Sequence, residues 1–146
     1  MINHREYFPL VRGRLLQQWQ LLWQQEERGR HAFSIFPTVG TRPWFKRLNM
    51  SRQEIVFVNR AATNHNRSDA HLARFGIVDA NHCACGEDYA TIDHMMWRCP
   101  TYDRTPLRQS LDSQTMGCSI RDLIALKRWE ELRIIASFCR EERIPF

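Results

Sequence analysis

Apolar side chains recur every three or four positions in several stretches of this chain, and each such stretch predicts a helix. The first is the stripe Val11, Leu15, Trp19, Leu22 and Trp23, which predicts a helix over residues 10–28, stopped by Gly29. Its two tryptophans read as core anchors, and the glutamines and arginines between them as a water-facing side. His31 to Val39 instead alternates loosely, with Phe33 and Ile35 on one side and Pro37 near its end; it reads as a short strand or an extended packing segment. Pro43, Trp44 and Phe45 open an irregular aromatic linker expected to lie against a core.

Helix punctuation is clearer further on. Ser51 followed by Glu54 is a capping box, predicting a helix over 52–62 with Ile55, Val58 and Ala62 inward. After a polar loop at 63–67, Ser68 caps a short helix ending at Gly76, with Leu72 and Phe75 as its buried residues. Thr91 caps another that must stop before Pro100. A helix is expected over 102–111 despite Pro106, and Ser119 caps the next, through Leu123 and Leu126. The last helix places Trp129, Leu132, Ile135, Ala136 and Cys139 on one face. The expected fold is mainly α: a small helical domain with short extended segments. It divides into an N-terminal helix and aromatic linker (1–50), a helical core (51–112) and a C-terminal helical hairpin (113–146), joined in one compact domain.

Between Asn81 and Pro100 the pattern changes from packing to chemistry. Cys83, Cys85, His94 and Cys99 read C-x-C-x8-H-x4-C, the ligands of one tetrahedral zinc ion, in a zinc-knuckle-like element. Gly86 supplies the permissive backbone for a turn after the first pair, and the Thr91-capped helix carries His94 to the same point. One residue between Cys83 and Cys85 is a tight bite, and His82 is an alternative ligand that would relieve it. Four protein ligands leave no open position for a catalytic water, so the zinc is expected to be structural.

Composition adds compartment and partner. Hydrophobic residues at 43% argue for a folded globule. No apolar run is long enough to span a bilayer, and the N-terminus lacks a basic-then-apolar leader, so no membrane association and an intracellular location, cytoplasmic or nuclear, are expected. The five cysteines are an odd number, with Cys118 and Cys139 standing apart from the cluster; metal-bound thiolates in a reducing compartment fit better than a disulfide framework. The net charge of +5 is uneven, because residues 1–81 hold 12 Lys and Arg against 6 Asp and Glu while residues 82–146 hold 9 against 10. Lysine occurs only at 46 and 127, so the charge is arginine, which pairs bidentately with phosphate and stacks on bases. RNA or DNA is therefore the expected partner, with Arg67, Arg74 and Arg98, near the metal segment, as candidate contacts.

These residues together resemble the C-terminal tail of insect-type non-LTR retrotransposon polyproteins, the region after the reverse transcriptase and RNase H domains. Trp19 and Trp23 with Gly29-Arg30 and Ser34-Ile35-Phe36-Pro37 are similar to that tail's tryptophan-rich lead. Ser51-Arg52 through Asn59-Arg60 and Thr63-Asn64-His65 are similar to a helix that ends in a Thr-Gly-His turn, and Leu72-x2-Phe75-Gly76 to the helix after it. Cys83, Cys85, Gly86, Thr91, His94, Cys99-Pro100 and Tyr102 match its Cys-Cys-His-Cys motif, the most specific of the four. Asn64 departs from the usual glycine and must take a left-handed conformation there, which asparagine tolerates. The resemblance covers about residues 10–110. It implies a noncatalytic, nucleic-acid-associated module of an element that copies its RNA into DNA.

An active site is not expected. No paired-aspartate signature of a polymerase and no RNase H acidic set is visible, Glu26 and Glu27 read as helix surface, and the cluster's cysteines are occupied as ligands. Asp88 and Asp93 read as supports of the metal ligands or of the His94 helix. His65 reads as a turn residue and His71 as exposed. Besides nucleic-acid binding, the sequence admits a module that docks on the remainder of a polyprotein through Trp44, Phe45 or the Trp19 face, and a truncated element fragment with no retained role.

Overall fold

The computed structural model describes residues 4–146, with side chains from residue 7 onward. The chain is mainly helical, and the eight helices among the described residues fall into two units, residues 1–48 and 49–146.

The first unit begins with α1 (His4–Gln25) and α2 (Arg30–Ile35). α1 starts earlier than the apolar stripe predicts and carries Pro9 inside it, which costs one bond of the helix ladder. The stripe itself is not a buried face: Leu15, Trp19 and Leu22 are each more than half exposed. Trp23 does find partners, donating its indole N–H to the Phe36 carbonyl at 2.9 Å and meeting the Phe33 ring edge-on at 5.7 Å. Gln20, expected to face water, donates to the Pro37 carbonyl and accepts from the Val39 N–H. Residues 30–35 form a helix where alternation suggested a strand. Gly29 is left-handed at φ 72°, which turns the chain into a new helix start, and the Arg30 guanidinium bonds the Gln24 and Trp23 carbonyls that α1 leaves open at its end. These local bonds outweigh a weak period-two pattern. The Trp44 ring stacks on Phe36 and meets Phe45 edge-on.

The second unit contains α3 (Arg52–Thr63), α4 (Asp69–Ala73), α5 (Ile92–Trp97), α6 (Thr105–Ser110), α7 (Ile120–Ala125) and α8 (Trp129–Glu141). α8 packs on α3, α6 and α7, and α3 also packs on α7. The core between them is Phe57, Val58, Leu107, Leu123, Ile124, Leu132, Ile135 and Phe138, all buried. Fully burying a Leu or Ile of this kind contributes roughly 1.5–3 kcal/mol. Both halves of the predicted capping box are present at Ser51 and Glu54, and Ser68, Thr91 and Ser119 each accept the backbone N–H three residues on. Asn64 is left-handed at φ 55°, as its place in the turn requires. Pro106 lies in the first turn of α6, where its missing N–H does no harm. Two expected core residues are at the surface: Phe75, 58% exposed beyond the end of α4, and Leu126, 69% exposed at the end of α7. Each helix is shorter than its apolar pattern, and the residue beyond its last turn is carried off the core-facing side.

Candidate metal centre

A small loop and one short helix build the centre. His82 and Tyr89 form an isolated antiparallel bridge, and the Cys83 N–H bonds the Asp88 carbonyl at 2.9 Å, closing a tight loop over residues 83–88. Within it the Gly86 N–H bonds the Cys83 carbonyl at 2.9 Å while Gly86 itself is left-handed at φ 80°. A β-carbon is disfavoured in that conformation, so the turn that follows the tight C-x-C bite needs this glycine. Thr91 then starts α5, and His94 sits one turn in. The His94 carbonyl accepts from both Arg98 and Cys99, so the chain leaves the helix by a turn that brings Cys99 back to the loop.

The result is convergence. The ligand atoms of Cys83, Cys85, His94 and Cys99 all lie within 4.8 Å of one another. Cys83 Sγ is 3.6 Å from Cys99 Sγ, and Cys85 Sγ is 3.3 Å from His94 Nε2. In a tetrahedral site with bonds of about 2.0–2.3 Å, neighbouring ligand atoms lie roughly 3.3–3.8 Å apart, so these donors fit one ion with little adjustment. His94 and Cys99 are buried and the other two half-buried, a shielded site of soft donors rather than an exposed acidic cluster. His82 is not in this group: it is exposed and lies against the Tyr89 ring at 4.7 Å.

Surrounding groups hold the donors in place. Asp88 Oδ2 stands 3.9 Å from His94 Nδ1 and 3.1 Å from the Arg98 guanidinium. The first distance is too long for a full hydrogen bond, but it sets a carboxylate behind the imidazole and leaves Nε2 to face the sulfurs. Asp93 serves the scaffold instead, accepting the Ile120 N–H at the start of α7 at 3.0 Å. Burial pushes its carboxyl above the ordinary value. Burial also pushes the Cys83 thiol up to about 11. At Cys99 burial acts the same way but is outweighed by hydrogen bonds, chiefly from Thr101, that hold the thiol below its ordinary value. Loading the set with a cation displaces the thiol protons.

Arg104 was not singled out in the sequence. It is buried, and its guanidinium donates to the carbonyls of Met96 at 2.7 Å, Tyr102 at 3.0 Å and Met95 at 3.1 Å. A cation on the open carbonyls at the end of α5 is favoured by their charge, and it locks the helix that carries His94. Its position five residues past Cys99 was the available signal, since a chain leaving a metal loop must be tied back.

The three candidate nucleic-acid contacts lie on different parts of the second unit. Arg98 is exposed and paired with Asp88, Arg74 is the exposed residue closing α4, and Arg67 is exposed beside α3 and α8. His71 is half-buried, not exposed. Its ring lies 5.2 Å from His65 and 5.0 Å from Phe75, and burial, with the neighbouring charges of His65 and Arg74, lowers its pKa. Among the described residues, no second group of three or more His, Cys, Asp or Glu side chains converges.

Set against known proteins, the chain is 26% identical over 102 residues to a retrovirus-related Pol polyprotein from the type-1 retrotransposable element R1 of Bradysia coprophila. It is similar to part of a retrotransposon polyprotein. The matched stretch is 70% of this chain and 10% of that polyprotein, so the chain spans at most a small part of its curated relative's length. No family model matches the chain, and no solved structure does. No helix among the described residues is long and apolar enough to cross a membrane.

Proposed function

We propose that this chain is a noncatalytic, zinc-stapled module that binds RNA or DNA, equivalent to the C-terminal region of a retrotransposon polyprotein. The observation that carries it is the convergence of three sulfurs and one imidazole nitrogen within 4.8 Å. Cys83, Cys85 and Cys99 as thiolates and His94 through Nε2 would hold the zinc, which supplies structural cross-linking with no open coordination position. The likeness to a Pol polyprotein and the arginine-rich positive charge support nucleic acid as the partner.

Two measurements test it. Protein purified without added metal should contain one zinc per chain, and the Cys83→Ser, Cys99→Ser variant none; equal metal in both sinks the zinc assignment. The intact chain should bind RNA or DNA oligonucleotides with an affinity that falls steeply as salt is added, since phosphate contacts release counterions. No binding at low salt would end the nucleic-acid reading.

One observation favours a second reading, docking on the remainder of a polyprotein: Leu10, Leu15, Trp19, Leu21 and Leu22 of α1 are all more than half exposed. Capture of the upstream polyprotein region by this chain, lost on Trp19→Ala, is its expected signature; capture unaffected by that change counts against this face. A chain that neither binds nucleic acid nor docks would be a fragment without retained function.

A further inference from the structure

We propose that the arginine-lined cleft between α3, α8 and the segment after α8 is a seat for single-stranded nucleic acid. This deepens the nucleic-acid reading and rests on it, but it moves the contact surface away from the metal loop.

The cleft has a volume of about 710 Å³ and is lined by Arg52, Arg60, Arg67, Arg140 and Arg143, contributed by three separate parts of the chain. Glu54 is the single carboxylate side chain in the lining, and it is committed: it accepts the Ser51 N–H and pairs with Arg133 at 3.3 Å. Among the described residues, none of the five arginines pairs with a carboxylate side chain. Two have hydrogen-bond partners within the cleft, Arg60 on the terminal main-chain oxygen of Phe146 and Arg140 on the neutral side chains of Gln53 and Ser137. Arg52, Arg67 and Arg143 are exposed. Five guanidinium groups around one concavity repel one another, and a polyanion relieves that repulsion; bidentate phosphate pairing is the geometry arginine is shaped for.

The cleft is also apolar. Val56, Ile144, Pro145 and the stacked pair Phe57 and Phe146, with ring centres 4.0 Å apart, contribute to its lining. A double helix presents phosphates but keeps its bases stacked inside, whereas a single strand offers both phosphates for the arginines and base faces for an apolar surface. That selects the single strand.

The end of α8 gives a second indication. The Ile144 N–H bonds the Cys139 carbonyl at 2.8 Å, and Arg143 lies between them at φ 55°, the position that helix ends usually give to glycine. Glycine is the easier residue there, so the arginine side chain is held in this wall of the cleft against the local conformational preference.

The test uses the full metal-loaded chain and a labelled single-stranded oligonucleotide, as RNA and as DNA, with the matching duplex. The triple variant Arg52→Gln, Arg67→Gln, Arg143→Gln should bind the single strand at least about tenfold more weakly, with a salt slope shallower by about 2, at about 0.7 per lost phosphate contact. A control triple on exposed positions of residues 1–48, Arg12→Gln, Arg14→Gln, Arg28→Gln, removes the same charge and should retain most of the binding. Arg143→Gly separates binding from folding, because it should keep or raise the melting temperature while weakening binding. If the native chain binds but the cleft triple binds equally well, or if the control triple loses as much, the cleft assignment is overturned while the nucleic-acid reading survives. If the duplex binds more tightly than the single strand, the single-strand assignment fails. If the native chain binds nothing, both readings fall together.

Discussion

Helices α1 and α8 both carry apolar side chains at spacings of three and four, but those of α1 spread more widely round the helix, and the two end in opposite states. α8 buries Leu132 and Ile135 completely and Phe138 and Cys139 nearly so, because α3, α6 and α7 surround it. α1 is longer by nine residues, 22 against 13, and leaves Leu10, Leu15, Trp19, Leu21 and Leu22 mostly in solvent. A period of three and four specifies a helix with an apolar side. It does not supply the opposing surface, and within residues 1–48 it is Trp23 that meets Phe33 of α2 and Phe36 just after it.

The largest expected effect follows from removing metal from the better-packed unit. Its middle, residues 81–100, has one short helix and an isolated bridge for regular structure; α5 buries Ile92, Met95 and Met96, but the loop at 81–90 buries only Ala90, so coordination is that loop's main support. Structural zinc sites in small peptides contribute about 10–16 kcal/mol at neutral pH. Chelation should therefore raise amide exchange across 81–100 by orders of magnitude, while the amides of α1, protected by their own helix ladder, keep their rates. Slow exchange in the chelated loop would show that packing alone holds it.

Next in size is a direct contest between the two stripes. Leu132→Ala should destabilise the second unit by about 2–5 kcal/mol, since a fully buried leucine leaves a cavity among α3, α6 and α7. Leu22→Ala, at a residue 66% exposed, should change stability by less than about 0.5 kcal/mol. Urea melts of both variants decide it, and a comparable loss for Leu22 would mean that α1 is covered in solution.

The features legible in the sequence were those set by local chemistry. Ser51, Ser68, Thr91 and Ser119 announce helix starts because the hydroxyl and the N–H it accepts are three residues apart, and Gly86 and Asn64 announce left-handed turns because few other residues tolerate them. Cys83, Cys85, His94 and Cys99 could be read as one set because they fall within seventeen residues of chain. What stayed hidden depends on distant neighbours. Arg104 looks like any surface arginine until α5 presents its carbonyls, and residues 30–35 alternate like a strand until Arg30 is seen bonding the end of α1. The cleft arginines are separated by up to 91 residues, so no window of sequence contains them together.

A smaller effect comes from the α3 cap. Burial raises the Glu54 carboxyl, but hydrogen bonds from Ser51 and the Arg133 guanidinium outweigh it and hold its pKa below the ordinary 4.5. A depressed folded pKa means the ionised form stabilises the fold. That contribution is complete above the unfolded value and is lost as pH falls through the folded one. Ser51→Ala should cost about 1 kcal/mol at neutral pH and flatten the loss of stability below pH 4.5, because part of what protonation removes is already gone. An unchanged acid slope would assign the pH dependence to other carboxylates.

The smallest expected effect is at Trp19, and it bears on what the exposed stripe is for. Trp23 has an indole hydrogen bond to Phe36, an edge contact with Phe33 and the Arg30 guanidinium 5.9 Å from its ring centre, so Trp23→Ala should loosen the junction of α1 with residues 30–36. Trp19 is 55% exposed, and Trp19→Ala should leave the melting temperature within about a degree of the native chain, the range of surface substitutions. A large apolar side chain whose removal costs no stability has nothing to do for the isolated fold, and any loss then seen in capture of the upstream polyprotein reports contact alone. If Trp19→Ala instead lowers the melting temperature by several degrees, the stripe is part of a core in solution, and the contrast between α1 and α8 disappears.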